Sequence, residues 1–418
     1  MSLEQHSTDD RGRADVESTV SRDATLAADV DVRGLADDVP ERSRAVLLTG
    51  ATGYLGGFLL ADLLSGTDAQ VHCLVRADSP GEARTRLRGV LARRGIGGHR
   101  AERVRVVHGS LTKRRLGLTD DAHRELARGI DAIYHCGAWV NLIAGYPTLR
   151  GGNVGGTLEV LRLATRLRKK TVHHVSTVGV LIQAYEDGAG PLPEDRPLPP
   201  PGGVGYFQSK WVAERLVHQA AERGVPVTVH RPGVVLADSA TGLGSASDWF
   251  MRLTAVSVRA GCSPAYDFPL SVAPADFTSR SIVELSRRPR ADERVFHNFL
   301  PRPMSLDEYF RVVDSCGYRV PSVPHAQWLA AVKGLRGVDR ATVRIAESLP
   351  QILLRPRNGN PTYPTSDATA AALGSSVTPP SLDRAYFTRM LADLARQGNC
   401  SRSSGPLPGD AARPGDHR

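Results

Sequence analysis

Eight residues, Thr49-Gly50-Ala51-Thr52-Gly53-Tyr54-Leu55-Gly56, stand between a short apolar, β-prone run at 45–48 and a stretch, 58–64, with apolar groups at helical spacing. Strand, glycine-rich turn and helix in that order constrain the chain strongly. Glycines permit the tight turn and a close backbone approach, and the unpaired amides at the head of the helix attract a pyrophosphate. Such a start predicts a parallel α/β sheet holding a dinucleotide at the carboxyl ends of its strands.

Strand-helix alternation continues to about residue 240. A second strand, 70–75, ends at Arg76. An acidic group there would bond the ribose diol of NAD, whereas arginine suits the 2′-phosphate of NADP, so NADPH is the expected cofactor. Arg84 and Arg86 follow on a basic helix, as further phosphate contacts or as a solvated face. Residues 104–111 form a third strand and turn, and 132–138 a fourth, whose small terminal residues let a cofactor lie flat. Asn153 begins the next helix, where it could orient a lysine through a water or cap the helix. The fifth strand, 171–177, carries the Ser176 and Thr177 hydroxyls at its end, and the sixth, 226–230, leads into Arg231-Pro232-Gly233-Val234-Val235.

A proline-rich loop, 191–205, read as a spacer, precedes Tyr206-Phe207-Gln208-Ser209-Lys210. On a helix Tyr206 and Lys210 lie one turn apart on one face, a phenol beside an ammonium. The cation favours the phenolate, so the tyrosine can give a proton to a carbonyl oxygen and take it back. With ten Tyr and five Lys in 418 residues, chance supplies roughly 0.1 such pair.

Composition narrows the function classes. No uninterrupted apolar run approaches the length of a membrane span, and the polar, acidic start is unlike a secretory signal. Five scattered cysteines, 73, 136, 262, 316 and 400, read as reduced thiols of a cytoplasmic protein, and thirteen histidines show no His-x-x-x-His pair, so no metal is expected. Residues 1–42 hold eleven acidic groups against five Arg, a net −6, so with +9 on the whole chain the rest carries +15. That basic body suits phosphates or an acidic partner, but there is no lysine-rich run, zinc pattern or aromatic RNA-binding signature, so nucleic acid is not expected. The expected layout is a disordered extension, 1–43, a Rossmann domain, 44–240, a substrate-binding lid, 241–400, and a disordered tail, 401–418.

These residues resemble the extended short-chain dehydrogenase/reductases, and within them the thioester reductase domains that end nonribosomal peptide synthetases and carboxylic acid reductases. The resemblance runs from about 44 to 398 and is carried by TGATGYLG at 49–56, CLVRA at 73–77, HCGAWVN at 135–141, NVGGT at 153–157, VSTVGV at 175–180, GYFQSKWVAE at 205–214, RPGVV at 231–235 and TG at 241–242. It implies a Rossmann-type doubly wound parallel α/β sheet with a smaller, mainly helical C-terminal substrate-binding region. It implies catalysis by Thr177, Tyr206 and Lys210, with Thr177 rather than Ser176 as second of the Ser-Thr pair. Implied NADPH contacts are Thr49, Gly50, Thr52, Gly53, Tyr54, Leu55, Gly56, Arg76, Arg86, Ser110, Leu111, Gly137, Ala138, Asn153, Tyr206, Lys210, Pro232, Gly233 and Val234. Ser110 departs from the family's usual Asp near the adenine. The implied reaction is reduction of an acyl or peptidyl thioester on a carrier protein met in trans, or on CoA, to an aldehyde or alcohol. Two alternatives stand beside it. A reductase, epimerase or dehydratase of a free small molecule is one, although Arg76 speaks against the NAD-retaining epimerases. A non-catalytic NADP sensor is the other, although it has no need of a Tyr-Lys pair.

Overall fold

The computed structural model describes residues 16–288 and 294–398. Its centre is a seven-stranded parallel sheet made of β1 (Ala45–Thr49), β2 (Gln70–Val75), β3 (Val104–His108), β4 (Ala132–His135), β5 (Thr171–Val175), β6 (Val227–His230) and β7 (Arg294–Phe296). The spatial order is β7-β6-β5-β4-β1-β2-β3. All neighbours are parallel, and Leu48 of β1 stands opposite Cys73 of β2 and Tyr134 of β4. Winding reverses between β1 and β4, which opens a crevice at their carboxyl ends.

The apolar run in β1 is continuous because both its faces are covered. Leu47 points into a core shared with Leu161, Val212 and Leu216, whereas Val46 and Leu48 point into another with Leu59, Leu63, Leu87 and Ile282. The first core lies under α3 (Asp120–Gly129), α4 (Gly156–Ala164) and α5 (Gly205–Glu222). The second lies under α1 (Tyr54–Gly66), α2 (Pro80–Arg93) and the helix Ala275–Ser286. This is the doubly wound architecture expected.

Three expectations need correction. The extension 1–43 is not disordered over its described part, 16–43. Helix occupies 16–23, and Val20, Leu26, Val30 and Val32 are buried in the core of α4 and α5. Arg223, at the end of α5, donates to the carbonyls of Leu26 (3.0 Å), Ala27 (2.7 Å) and Val30 (2.9 Å). Gln219 brackets the same strap, donating to Ala24 O at 2.6 Å and accepting from Leu26 N–H at 3.0 Å. Its acidic groups meet basic partners: Asp23 pairs with Arg150, Asp29 with Arg162 and Asp37 with Lys169. An acidic segment laid over a basic face is held by charge as well as by four buried aliphatic groups. Residues 1–15, Cys400 and the tail 401–418 lie outside the described residues.

The loop 191–205 is not a plain spacer. Pro191–Leu192 pairs with Tyr363–Pro364, Glu194 accepts from Thr369 N–H at 2.8 Å, and Trp211 Nε1 donates to Pro199 O at 2.6 Å.

Finally, the region after residue 240 is not one block. One compact unit runs to Leu236 and takes back 270–303 and 350–380, while 237–269, 304–349 and the chain from 381 form the second. The returning pieces bring β7 and the helix Ala275–Ser286, without which the sheet would lose an edge strand and one layer of cover. The second unit is helical, as expected. Its core stacks Phe250, Tyr309 and Phe387 edge to face, with centroids 4.8 and 5.1 Å apart. Gly242 takes φ +73 there, and a Cβ on it would lie 2.5 Å from the Arg389 carbonyl carbon, so the Thr-Gly at 241–242 is a packing feature.

Candidate active site

The glycine turn is compressed as its sequence demands. Gly50 adopts φ +78, and a Cβ there would lie 2.8 Å from Gly137 N and 2.9 Å from the Cys136 carbonyl. A Cβ on Gly56 would fall 2.0 Å from Gly50 O, and one on Gly137 would meet Leu111 Cδ1 at 2.7 Å. The turn, the exit of β4 and Leu111 therefore touch without intervening side chains. Gly53 caps α1 with no side-chain acceptor, and the head of a helix favours an anion. These residues fit a dinucleotide pyrophosphate.

Under the turn runs a chain of buried polar groups whose directions are forced. Thr157 donates its hydroxyl to Asn153 O at 2.7 Å, so it accepts from His135 Nε2–H at 2.9 Å. His135 Nδ1 must then accept from Thr49 Oγ1–H at 2.8 Å, which leaves the Thr49 oxygen to receive Gly137 N–H at 2.9 Å. Burial, helped by the nearby Lys210 charge, holds the His135 pKa down at about 3, so it stays neutral.

The chemistry-bearing face is on α5. Tyr206, Lys210, Glu214 and His218 follow at four-residue intervals and form one stripe. Lys210, 2% exposed, donates from Nζ to Val175 O at 2.9 Å and contacts His174 Nε2 at 3.4 Å. Burial lowers its ammonium to about 8, against the pull of Glu214 and Cys136. Glu214 is fully buried and bonds Arg231 through Nε (2.9 Å) and Nη2 (2.6 Å). Burial would raise this carboxyl, but Arg231 and His218 outweigh it and hold it near 2. A Cβ on Gly205 would lie 2.4 Å from Tyr146 N, so backbone rather than side chains seats the head of α5.

Thr177 and Ser176 separate clearly. Thr177 Oγ1 accepts from Gly179 N–H at 3.2 Å on a half-buried residue, which leaves its hydroxyl proton to donate. Ser176 Oγ is buried with no hydrogen-bond partner. Val178 N–H binds Pro232 O at 2.8 Å, Val234 N–H binds Ser271 O at 2.7 Å, and a Cβ on Gly233 would fall 1.9 Å from Ser271 O. Pro232, Gly233 and Val234 thus form a brace behind Thr177.

Other expected cofactor residues also have partners within the protein. Asn153 occupies a π-helical turn, Gly151–Gly155, and neither caps α4 nor is bonded to Lys210. Its Oδ1 accepts from Trp139 N–H at 2.7 Å, and its Nδ2 donates to Trp139 O at 3.2 Å and Ser209 Oγ at 2.9 Å, tying the exit of β4 to α5. Ser110 Oγ lies 2.9 Å from Thr112 Oγ1, and the Tyr54 hydroxyl donates to Leu236 O at 3.1 Å. Arg76 is exposed at the end of β2, and Arg86 Nη1 donates to its backbone carbonyl at 2.6 Å, which brings the Arg86 guanidinium to the end of that strand. His174, Glu214 and Arg231 escaped the sequence reading. Glu214 had a signal, the four-residue step from Lys210, whereas His174 and Arg231 are placed only by strand pairing.

Fold and site together define a nicotinamide-dinucleotide-binding oxidoreductase of the extended short-chain dehydrogenase/reductase type. An NAD-binding family described as male sterility protein matches residues 48–282. The terminal R domain from the myxalamid PKS-NRPS biosynthetic pathway is similar in structure, with a TM-score of 0.84 and 37% identity, covering 93% of this chain and 99% of that one. A glycine betaine reductase of Emericella nidulans is 38% identical over 342 residues, 78% of this chain and 26% of that protein. An isonitrile lipopeptide synthase of Streptomyces coeruleorubidus is 35% identical over 419 residues, 95% of this chain and 27% of that protein. The chain belongs to this male sterility NAD-binding family and, within it, to the reductase domains. It spans about a quarter of the length of those two curated relatives. Among the described residues no helix is long and apolar enough to cross a membrane.

Proposed function

We propose that this protein reduces an acyl or peptidyl thioester, carried on the phosphopantetheine of a carrier protein or on CoA, and releases it as an aldehyde in secondary metabolism. The observation that carries the reading is the stripe on α5. In support, Tyr206 stands four residues before the buried Lys210 on one face of α5, and the Thr177 hydroxyl at the exit of β5 keeps a proton to donate. A dinucleotide bound in the glycine cradle supplies the hydride when present. Thr177 and Tyr206 serve as hydrogen-bond donors to the carbonyl oxygen as it gains negative charge, and Tyr206 transfers its proton there. Lys210 keeps that proton mobile by favouring the phenolate and holds the ribose. Once the new C–H bond has formed, the carbon–sulfur bond breaks with its electron pair on sulfur, the oxygen proton returns to Tyr206, and the thiolate takes a proton from water, so that thiol and aldehyde leave. We assign NADPH over NADH to Arg76 at the end of β2 and to the Arg86 guanidinium bonded to its backbone carbonyl, and substrate selection to the helical second unit. The basic body suits an acidic carrier protein. Among the described residues the free thiols Cys73, Cys136, Cys262 and Cys316 suit a reducing cytoplasm.

The test is oxidation of NADPH by the purified protein with an acyl-loaded carrier protein, with the aldehyde trapped. Turnover of free carbonyl compounds but of no thioester overturns the reading. Tyr206→Phe is expected to lower kcat by about 10²–10⁴-fold with NADPH binding intact, and a fully active variant removes Tyr206 from the chemistry. Arg76→Ala is expected to weaken NADPH binding about tenfold and NADH binding little; equal losses undo the cofactor assignment.

A further inference from the structure

His174 projects from β5 beneath Lys210, with a ring that is fully buried. Its Nε2 lies 3.4 Å from Lys210 Nζ, and its Nδ1 is buried without a hydrogen-bond partner. A neutral imidazole bears one proton, and the two placements differ in consequence. A proton on Nε2 would point a donor at an ammonium that can only donate. A proton on Nδ1 leaves that N–H orphaned, at a cost of about 1–3 kcal/mol, but turns Nε2 into an acceptor. Burial and the Lys210 charge together keep the ring from becoming a cation, its pKa lying well below the ordinary value.

We propose that His174 is a positioning residue for Lys210: as the neutral Nδ1–H tautomer it accepts one ammonium N–H, Val175 O accepts a second, and the third is left for the reaction site. The orphaned Nδ1 is the mark of that role, because an isolated histidine in this core would choose the tautomer with a partner. The inference rests on the reductase reading for what Lys210 does, but not for how it is held.

Several titratable groups face this contact. From β4, His135 stays neutral and burial pushes the Cys136 thiol up to about 12. From β6, burial holds His230 at about 4. From α5, Glu214 is ionised in its pair with Arg231, and Tyr206 and His218 share the stripe. Lys210 must be a cation to work, so activity is lost as pH rises through its pKa of about 8. Removing the Nε2 acceptor destabilises the buried cation, so that loss comes at lower pH.

Two measurements decide the matter. In ¹⁵N-labelled protein without ligand, the His174 ring is expected to show a protonated Nδ1 and a bare Nε2, unchanged from about pH 6 to 8. A protonated Nε2, or titration in that range, overturns the proposal whether or not any variant folds. With octanoyl-CoA as the probe substrate, the alkaline limb of kcat is expected to move down by about one pH unit in His174→Leu. In His174→Gln, whose amide oxygen can accept, the limb is expected to return. A limb at the wild-type position in His174→Leu also overturns the proposal. Should the wild type leave octanoyl-CoA untouched, that failure concerns the substrate alone. NADPH affinity, followed by its fluorescence over the same pH range, then makes the same comparison.

Discussion

Asp62 of α1 bonds Ser279 of the neighbouring helix, Oγ to Oδ2, at 2.5 Å. Burial raises its carboxyl to about 6, with the Ser279 bond opposing. A folded-state pKa above the ordinary 3.8 means that this group's contribution to stability is complete below about pH 4 and lost as pH rises through 6. Asp62→Asn keeps an acceptor for Ser279 and removes the charge. It is expected to stabilise the protein by about 1–2 kcal/mol at pH 8, allowing for partial exposure, and hardly at all at pH 4. Urea denaturation at both values checks this, and an equal gain at both pH values counts against it. Residues of this kind were not legible beforehand. Tyr206, Lys210 and the glycine turn were, because spacing along one element fixes their geometry. The His174 contact with Lys210 and the Arg231–Glu214 ion pair join elements distant in sequence, and only strand order brings them together.

At the scale of elements, the strap 16–43 stands out beside α5. Sequence composition argued for disorder, since Asp, Ser and Ala dominate there and its four buried aliphatic residues follow no regular period. What composition could not show is that the partner face carries Arg150, Arg162, Lys169 and Arg223, whose charges and donors await an acidic, carbonyl-rich segment. The strap grips α5 at Gln219 and Arg223 and, through Asp23, reaches Tyr146, whose backbone seats Gly205 at the other end. Arg223→Ala removes three hydrogen bonds from a charged donor and is expected to cost about 1–3 kcal/mol. Thermal unfolding measures that cost, and an unchanged Tm would show the strap to be passive. The strand-helix alternation to β6 was readable because each strand is an apolar run bounded by turns. β7 was missed because it has three residues and follows a region without alternation.

For the whole molecule, the expected boundary near 240 and the observed one at 236/237 nearly coincide, yet they mean different things. A fragment ending at 240 would lack the helix Ala275–Ser286 and β7. It would expose the α1 face where Val283 and Ile282 pack. Such a fragment is expected to be insoluble or to lack a cooperative transition, whereas the full chain unfolds sharply. Circular dichroism distinguishes the two, and a stable, cooperatively folding fragment would restore the simpler two-block plan.

The chain changes unit at 236/237, 269/270, 303/304, 349/350 and 380/381. In terms of descent, the helical unit cannot be exchanged whole between relatives by one crossover, since any contiguous block that carries all of it also carries 270–303 and 350–380 of the dinucleotide unit. Laboratory chimaeras that swap the helical unit alone need junctions at each of these five points.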